Sequence, residues 1–263
     1  KMTQSGHQPT IITWTSNLGN QNIQLAIWKA RILKSLPTAI QEDIYHNLND
    51  GDLMQAAYIF QNVFTNFPEG SCHIIWLEDA NREPAILMGK FLSHYIICQD
   101  SGLLDLISGD QKPDFILKLS EDSNMFTDSV TRAIHAIERN EWGVGSEFPQ
   151  ADEREVKLAL KPLFAQERFS CRIFFIDKFY HAWTNLHRDF FFKHFIDKQI
   201  EIFIPQKESI MAGPSEFKSK SDLNSKYFFN DSGYLCFLLP EKMRHSDDIS
   251  HISHISITVQ QGS

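Results

Sequence analysis

Three residues stand out by type and spacing: His187 and Asp189, two positions apart, and His245 further along the chain. On an extended segment, residues two apart share a face, so His187 and Asp189 can grip one ion together. A histidine from a distant strand then completes two imidazoles and one carboxylate on one side of a metal. Such a set leaves coordination positions open on the other side and suits non-haem Fe(II) chemistry. Other groups compete less well. Cys72-His73 could pair a nucleophile with a base, but the apolar run Cys72–Leu77 reads as a strand holding a buried thiol. Asp247, Asp248, His251 and His254 read as a polar loop around His245 that leads into the final strand. Asp152, Glu153 and Glu155 read as a helix N-terminus complementing its dipole.

The elements that must position these residues follow from periodicity. After Asn20, a candidate cap, Ile23, Ala26, Ile27, Ala30 and Leu33 recur at helical spacing until Pro37. A second helix follows Asp52, with Leu53, Ala56, Ala57, Phe60, Val63 and Phe64 on one face. Residues 1–75 thus read as mostly helical. Short extended runs come next, Cys72–Leu77 and Ala85–Met88, and helical periodicity returns at Thr127–Arg139 and near Glu153–Leu160. From residue 170 the chain reads as strands: Arg172–Ile176, Ile200–Ile204, Tyr234–Leu239 and Ile255–Val259. Ser215–Lys226 reads as a long exposed loop. The order predicts an α+β protein with a β-sandwich or barrel core.

The run Arg172–Ile176, followed by Trp183-Thr184-Asn185-Leu186-His187-Arg188-Asp189, resembles the JmjC-type (cupin-like) 2-oxoglutarate oxygenases. In that family a Thr precedes the first metal His by three residues. Ile200–Pro205, Ser232–Pro240, His245 and the closing Ile255–Gln260 continue the resemblance in the family's order, and Arg82–Gly89 is similar to its opening strand. The resemblance implies a double-stranded β-helix (a jelly-roll, cupin-like barrel) over residues 80–263, with residues 1–79 as a helical N-terminal extension. It implies Fe(II) held by His187, Asp189 and His245, and 2-oxoglutarate chelating that iron. Thr184 and a cation would hold the far carboxylate. Lys198 and Arg244 are the candidate cations; aligning on Pro205 puts Gln199 at the family's Lys position, one residue from Lys198. Gln260 stands where the closing strand usually carries Asn.

The implied activity is an Fe(II)- and 2-oxoglutarate-dependent dioxygenase that hydroxylates a protein or peptide side chain. Two alternatives stay open: a small-molecule hydroxylase of the same family, and a catalytically degenerate cupin-like binding module. Composition bounds the rest. A net charge of −8 over 263 residues argues against broad nucleic-acid binding, which needs cationic surface to displace phosphate counterions. No apolar run is long enough to span a membrane, and no secretory signal is visible. The four cysteines are far apart without a C-x-x-C pair, which predicts a reducing, cytoplasmic setting.

Overall fold

A computed structural model describes residues 10–79, 85–142, 147–152, 154–205, 209–213, 226–244 and 252–259. By internal contacts the chain divides into two units, Lys1–Leu158 and Ala159–Ser263.

Unit 1 runs β1 (Ile11–Ser16), α1 (Ile23–Ser35), β2 (Ile40–Tyr45), α2 (Leu53–Val63), β3 (Cys72–Trp76), β4 (Ile86–Phe91), β5 (His94–Gln99), α3 (Leu103–Ser108), β6 (Phe115–Ser120) and α4 (Phe126–Arg139). Its six strands form one sheet in the order β2-β1-β3-β5-β4-β6. The pairs β1–β2, β1–β3 and β3–β5 are parallel, while β4 runs antiparallel to both neighbours. Helices cover both faces, so the inner strands are buried on both sides. Five of the six residues of β1, and all of β3 and β5, are buried. On one face Ile12, Trp14, Ile74 and Trp76 pack with Leu25 and Ile32 of α1 and with Phe126 and Val130 of α4. On the other, Phe60 of α2 and Phe64 just beyond its end set their rings against His73 and His94. α3 lies so close to β4 that a Cβ on Gly89 would meet Leu104 at 3.1 Å.

This architecture departs from the sequence reading in three places. The two helices expected before residue 65 are present, but β1 and β2 flank α1. Ile-Ile-Thr-Trp-Thr is short enough to be overlooked beside two periodic helices. The division expected at 79/80 falls within the sheet, between β3 and its partner β5. Residues 154–160, expected as helix, are irregular, with Val156 N–H donated to Asp105 Oδ2 at 2.8 Å.

Within α1 the residues that recur at helical spacing are not the buried ones. Asn22, not Asn20, caps the helix by accepting from Leu25 N–H at 3.2 Å. The buried residues are Leu25 and Ile32, while Ile23, Ala26, Ile27, Ala30 and Leu33 are exposed.

Unit 2 runs β7 (Leu163–Ala165), β8 (Arg168–Ile176), β9 (His181–His187), α5 (Arg188–Phe195), β10 (Ile200–Phe203), β11 (Ile210–Ala212), β12 (Tyr227–Phe229), β13 (Tyr234–Leu238) and β14 (His254–Val259). The expected strands are all here. They make one antiparallel eight-stranded sheet, β11-β10-β14-β8-β9-β13-β12, with β7 paired to β8. Phe169, Leu186, Phe191, Ile202, Phe237 and Ile257 belong to its core.

The expected fold class is therefore corrected. The protein joins a mostly parallel α/β sheet to an antiparallel sheet and is not a cupin-like jelly roll with a helical extension. The physical reason lies in the turns. Asp177–Tyr180 and Asn230–Gly233 close tight hairpins, and hairpin partners stay in one sheet instead of alternating between two. Period-two alternation shows that a strand has an inner face but not which sheet it joins. The loop expected at 215–226 lies, apart from Lys226, outside the described residues. No helix among the described residues is long and apolar enough to cross a membrane.

Candidate functional site

In unit 1, β2 pairs on one side of β1 and β3 on the other, so the connections leave the C-terminal ends of β1 and β3 in opposite directions. In open α/β sheets ligands settle in the crevice at such a switch point. The loops there are tied by one amide. Asn17, the residue after β1, donates from Nδ2 to Asp50 Oδ1 at 2.9 Å and to Glu78 O at 3.0 Å. Its Oδ1 accepts from Glu78 N–H at 2.7 Å. Asn17 thereby clamps the ends of β1 and β3 to the loop after β2. Trp76 Nε1 donates to Glu78 Oε2 at 2.8 Å, and Gln99 bridges both backbone groups of Leu77.

Behind this clamp runs a polar chain. Ser16 Oγ lies 2.7 Å from His46 Nδ1, and His46 Nε2 lies 3.0 Å from Asp43 Oδ1. Asp43 also takes both its oxygens to Lys29 Nζ at 2.8 Å. Burial pushes the Asp43 carboxyl up, but the hydrogen bonds from Lys29 and His46 outweigh it and hold the group below the usual carboxylate range. An ionised Asp43 accepts from His46 Nε2–H, and the Ser16 hydroxyl meets the other ring nitrogen, Nδ1. This is the logic of a Ser-His-Asp triad with the ring nitrogens exchanged. Ser16 is only 1% exposed, so the chain orients the loop instead of presenting a nucleophile. Leu18 N–H reaches Ser16 Oγ at 3.3 Å, and Gly19 N–H reaches His46 O at 2.7 Å.

The same edge is acidic. Asp50, Glu78, Asp79 and Asp100 lie just beyond the strand ends, Asp100 facing Arg154 Nε at 3.5 Å. A cavity lined by Asp100, Gly102, Asp105 and Arg154, about 10 Å³ in volume, has room for about one water and not for an organic ligand. Sequence reading missed this edge. Its signals were the β-branched run ending at Ser16-Asn17 and the Asp43-x-x-His46 spacing, each too short to separate from chance.

The residues expected to bind iron and co-substrate sit in unit 2. His187 ends β9 and caps α5, its Nδ1 accepting from Asp189 N–H at 3.3 Å. Asp189 occupies the first turn of α5, 80% exposed, where a carboxylate complements the helix dipole. The H-x-D spacing is thus that of a cap and a first-turn acid. Thr184 Oγ1 is buried and donates to Leu235 O at 2.9 Å. Arg244 Nε donates to Leu239 O at 2.8 Å, and Lys198 and Gln199 are exposed beyond α5. His245 and Gln260 lie outside the described residues. Among the described residues no group of three or more His, Cys, Asp or Glu side chains could hold a metal.

Residues 12–138, from β1 through nearly all of α4, match the family model of the SAM hydroxide adenosyltransferase N-terminal domain. Unit 1 is similar to that domain. Two solved structures share the whole architecture. An uncharacterized conserved protein from Thermotoga maritima is 17% identical, with a TM-score of 0.73 over 94% of this chain and 99% of its own. A conserved hypothetical protein from Thermus thermophilus is 16% identical, with a TM-score of 0.64 over 95% and 99%. No curated protein matches.

These likenesses overturn the oxygenase reading. The resemblance to JmjC-type proteins rested on strand order and loose motifs that hairpins and a helix cap also produce. The matched stretch covers most of the expected extension, the expected opening strand and the residues after it up to 138. The expected dioxygenase activity, Fe(II) and 2-oxoglutarate are corrected with it.

Proposed function

We propose that the protein binds S-adenosylmethionine at the C-terminal edge of the unit 1 sheet and transfers its adenosyl group to hydroxide. The observation that carries this reading is the family match over residues 12–138, which spans β1, β2 and β3 and hence the switch point between them. The chemistry of that edge supports it. S-adenosylmethionine carries a sulfonium, and the carboxylates of Asp50, Glu78 and Asp79 beyond the strand ends give a field that draws a cation inward. In the reaction an oxygen–C5′ bond forms from water that has lost a proton. The C5′–sulfur bond breaks, and its electron pair neutralises the sulfonium. The products are adenosine and methionine.

A second reading, binding without turnover, is favoured by the engagement of Ser16, Asn17 and His46 with protein partners, which leaves the reaction few obvious polar groups. Incubation with S-adenosylmethionine in ¹⁸O-water separates the two. Turnover gives methionine with adenosine labelled at the 5′-oxygen. Saturable binding with no adenosine above the blank supports the second reading. Neither binding nor product at millimolar S-adenosylmethionine overturns both.

A further inference from the structure

Beyond Trp76, where β3 ends, two residues keep the hydrogen bonding of a sheet without neighbouring strands. In an extended chain successive residues turn their backbone groups to opposite sides, so Leu77 faces β5 and Glu78 faces β1. Neither neighbour has ladder left to offer there. β1 ends at Ser16, and β5 turns away after Gln99, where Ser101 N–H closes on Gln99 O at 2.8 Å. A carboxamide carries the same donor and acceptor as a peptide group. Gln99 supplies one, accepting from Leu77 N–H at 3.0 Å and donating to Leu77 O at 2.8 Å. Asn17 supplies the other, to both backbone groups of Glu78.

The side chains of Trp76 and Glu78, two apart, then share a face, and Trp76 Nε1 donates to Glu78 Oε2 at 2.8 Å. The indole is fixed in turn, 4% exposed and set edge-on against Trp28 and Phe126. Holding a long, exposed acidic side chain in one place costs rotamer freedom, and a hydrogen bond open to water returns little. Stability alone does not account for such a carboxylate. A site for a cation does, because a charge already in place needs no reorganisation when the ligand arrives.

We propose that Gln99 is a positioning residue of the S-adenosylmethionine site: by fixing Leu77 it holds the Glu78 carboxylate where the sulfonium binds. The proposal rests on the reading of this edge given above and adds the residue that sets its charge selectivity. Asn17 ties three loops, whereas both hydrogen bonds of the Gln99 amide go to Leu77, so the effect of Gln99 is local.

Calorimetric titration of the full chain with S-adenosylmethionine and with S-adenosylhomocysteine at low salt provides the test. The wild type should prefer the sulfonium by roughly tenfold. Gln99→Met, similar in length but without the amide, should weaken S-adenosylmethionine by about that factor and leave S-adenosylhomocysteine within about twofold. Trp76→Phe, which keeps a ring but removes its N–H, should do the same, and it carries the test should Gln99→Met fail to fold. In a Glu78→Gln background neither change should reduce the preference further. Equal weakening of both ligands overturns the proposal, since mere loosening of the edge does that. So does a preference that survives Gln99→Met or Trp76→Phe, or a wild type that binds both ligands equally. A wild type that binds neither ligand removes the underlying reading of the edge, and this proposal with it.

Discussion

Asn17 makes three hydrogen bonds across three loops, and its loss reaches both stability and binding. Asn17→Ala should cost about 1–3 kcal/mol, because Asp50 and two backbone groups of Glu78 lose their partner. It should also weaken S-adenosylmethionine binding by roughly tenfold or more, since the ends of β1 and β3 lose their common tie. Thermal melts and calorimetric titration of the same preparation check both parts. His187 behaves differently. As a cap of α5 its replacement by Ala should cost about 0.5–2 kcal/mol and leave any S-adenosylmethionine turnover unchanged. Added Fe(II) should alter neither protein. Loss of activity in His187→Ala with stability retained would mean that the residue does chemistry after all.

At the scale of elements, the packing of α2 on the sheet makes stability depend on pH. His73 lies between Thr13 Oγ1 at 2.8 Å and His94 Nδ1 at 3.1 Å, with Phe60 and Phe67 against its ring and Phe64 against that of His94. Burial, and then the neighbouring His94, push the His73 imidazole down to about 3. Burial lowers His94 as well, against the opposing pull of Glu69. Both rings are neutral when folded and take up protons near pH 6.5 when unfolded. The unfolded chain therefore binds more protons below that point. Stability is full above about pH 6.5 and falls as the pH drops toward 3, by up to roughly 5 kcal/mol for His73. Melting temperatures at pH 7 and pH 5 should show the loss, and His73→Gln should flatten it. A wild-type melting temperature that does not change between those values would contradict the assignment.

These elements were unequally legible in the sequence. α2 and α4 declared themselves by period, as did the later strands, since their apolar residues recur at the spacing of the element. For α1 the period was visible too, although the more regular stripe is the exposed one. β1 and β2 went unread. The site followed the same rule: H-x-D is conspicuous yet serves as a helix cap, whereas Asn17 matters through contacts with residues 50 and 78 that no local spacing announces.

For the molecule as a whole, the division at Leu158/Ala159 places all six strands of the first sheet in one unit. A fragment of residues 10–158 should melt cooperatively by itself, whereas one ending at residue 79 should not, because it parts β3 from β5. Circular dichroism of the two fragments decides this. The electrostatics of the whole chain bear on the central claim, since a protein of net charge −8 with an acidic strand edge should prefer a sulfonium ligand to its neutral thioether. The most direct measurement is a calorimetric titration of the full chain with S-adenosylmethionine and, separately, with S-adenosylhomocysteine, each at 50 mM and 500 mM salt. The account predicts saturable binding of both, tighter for S-adenosylmethionine by roughly tenfold at low salt, with the difference shrinking at high salt. Absence of heat and of competition with either ligand would contradict it.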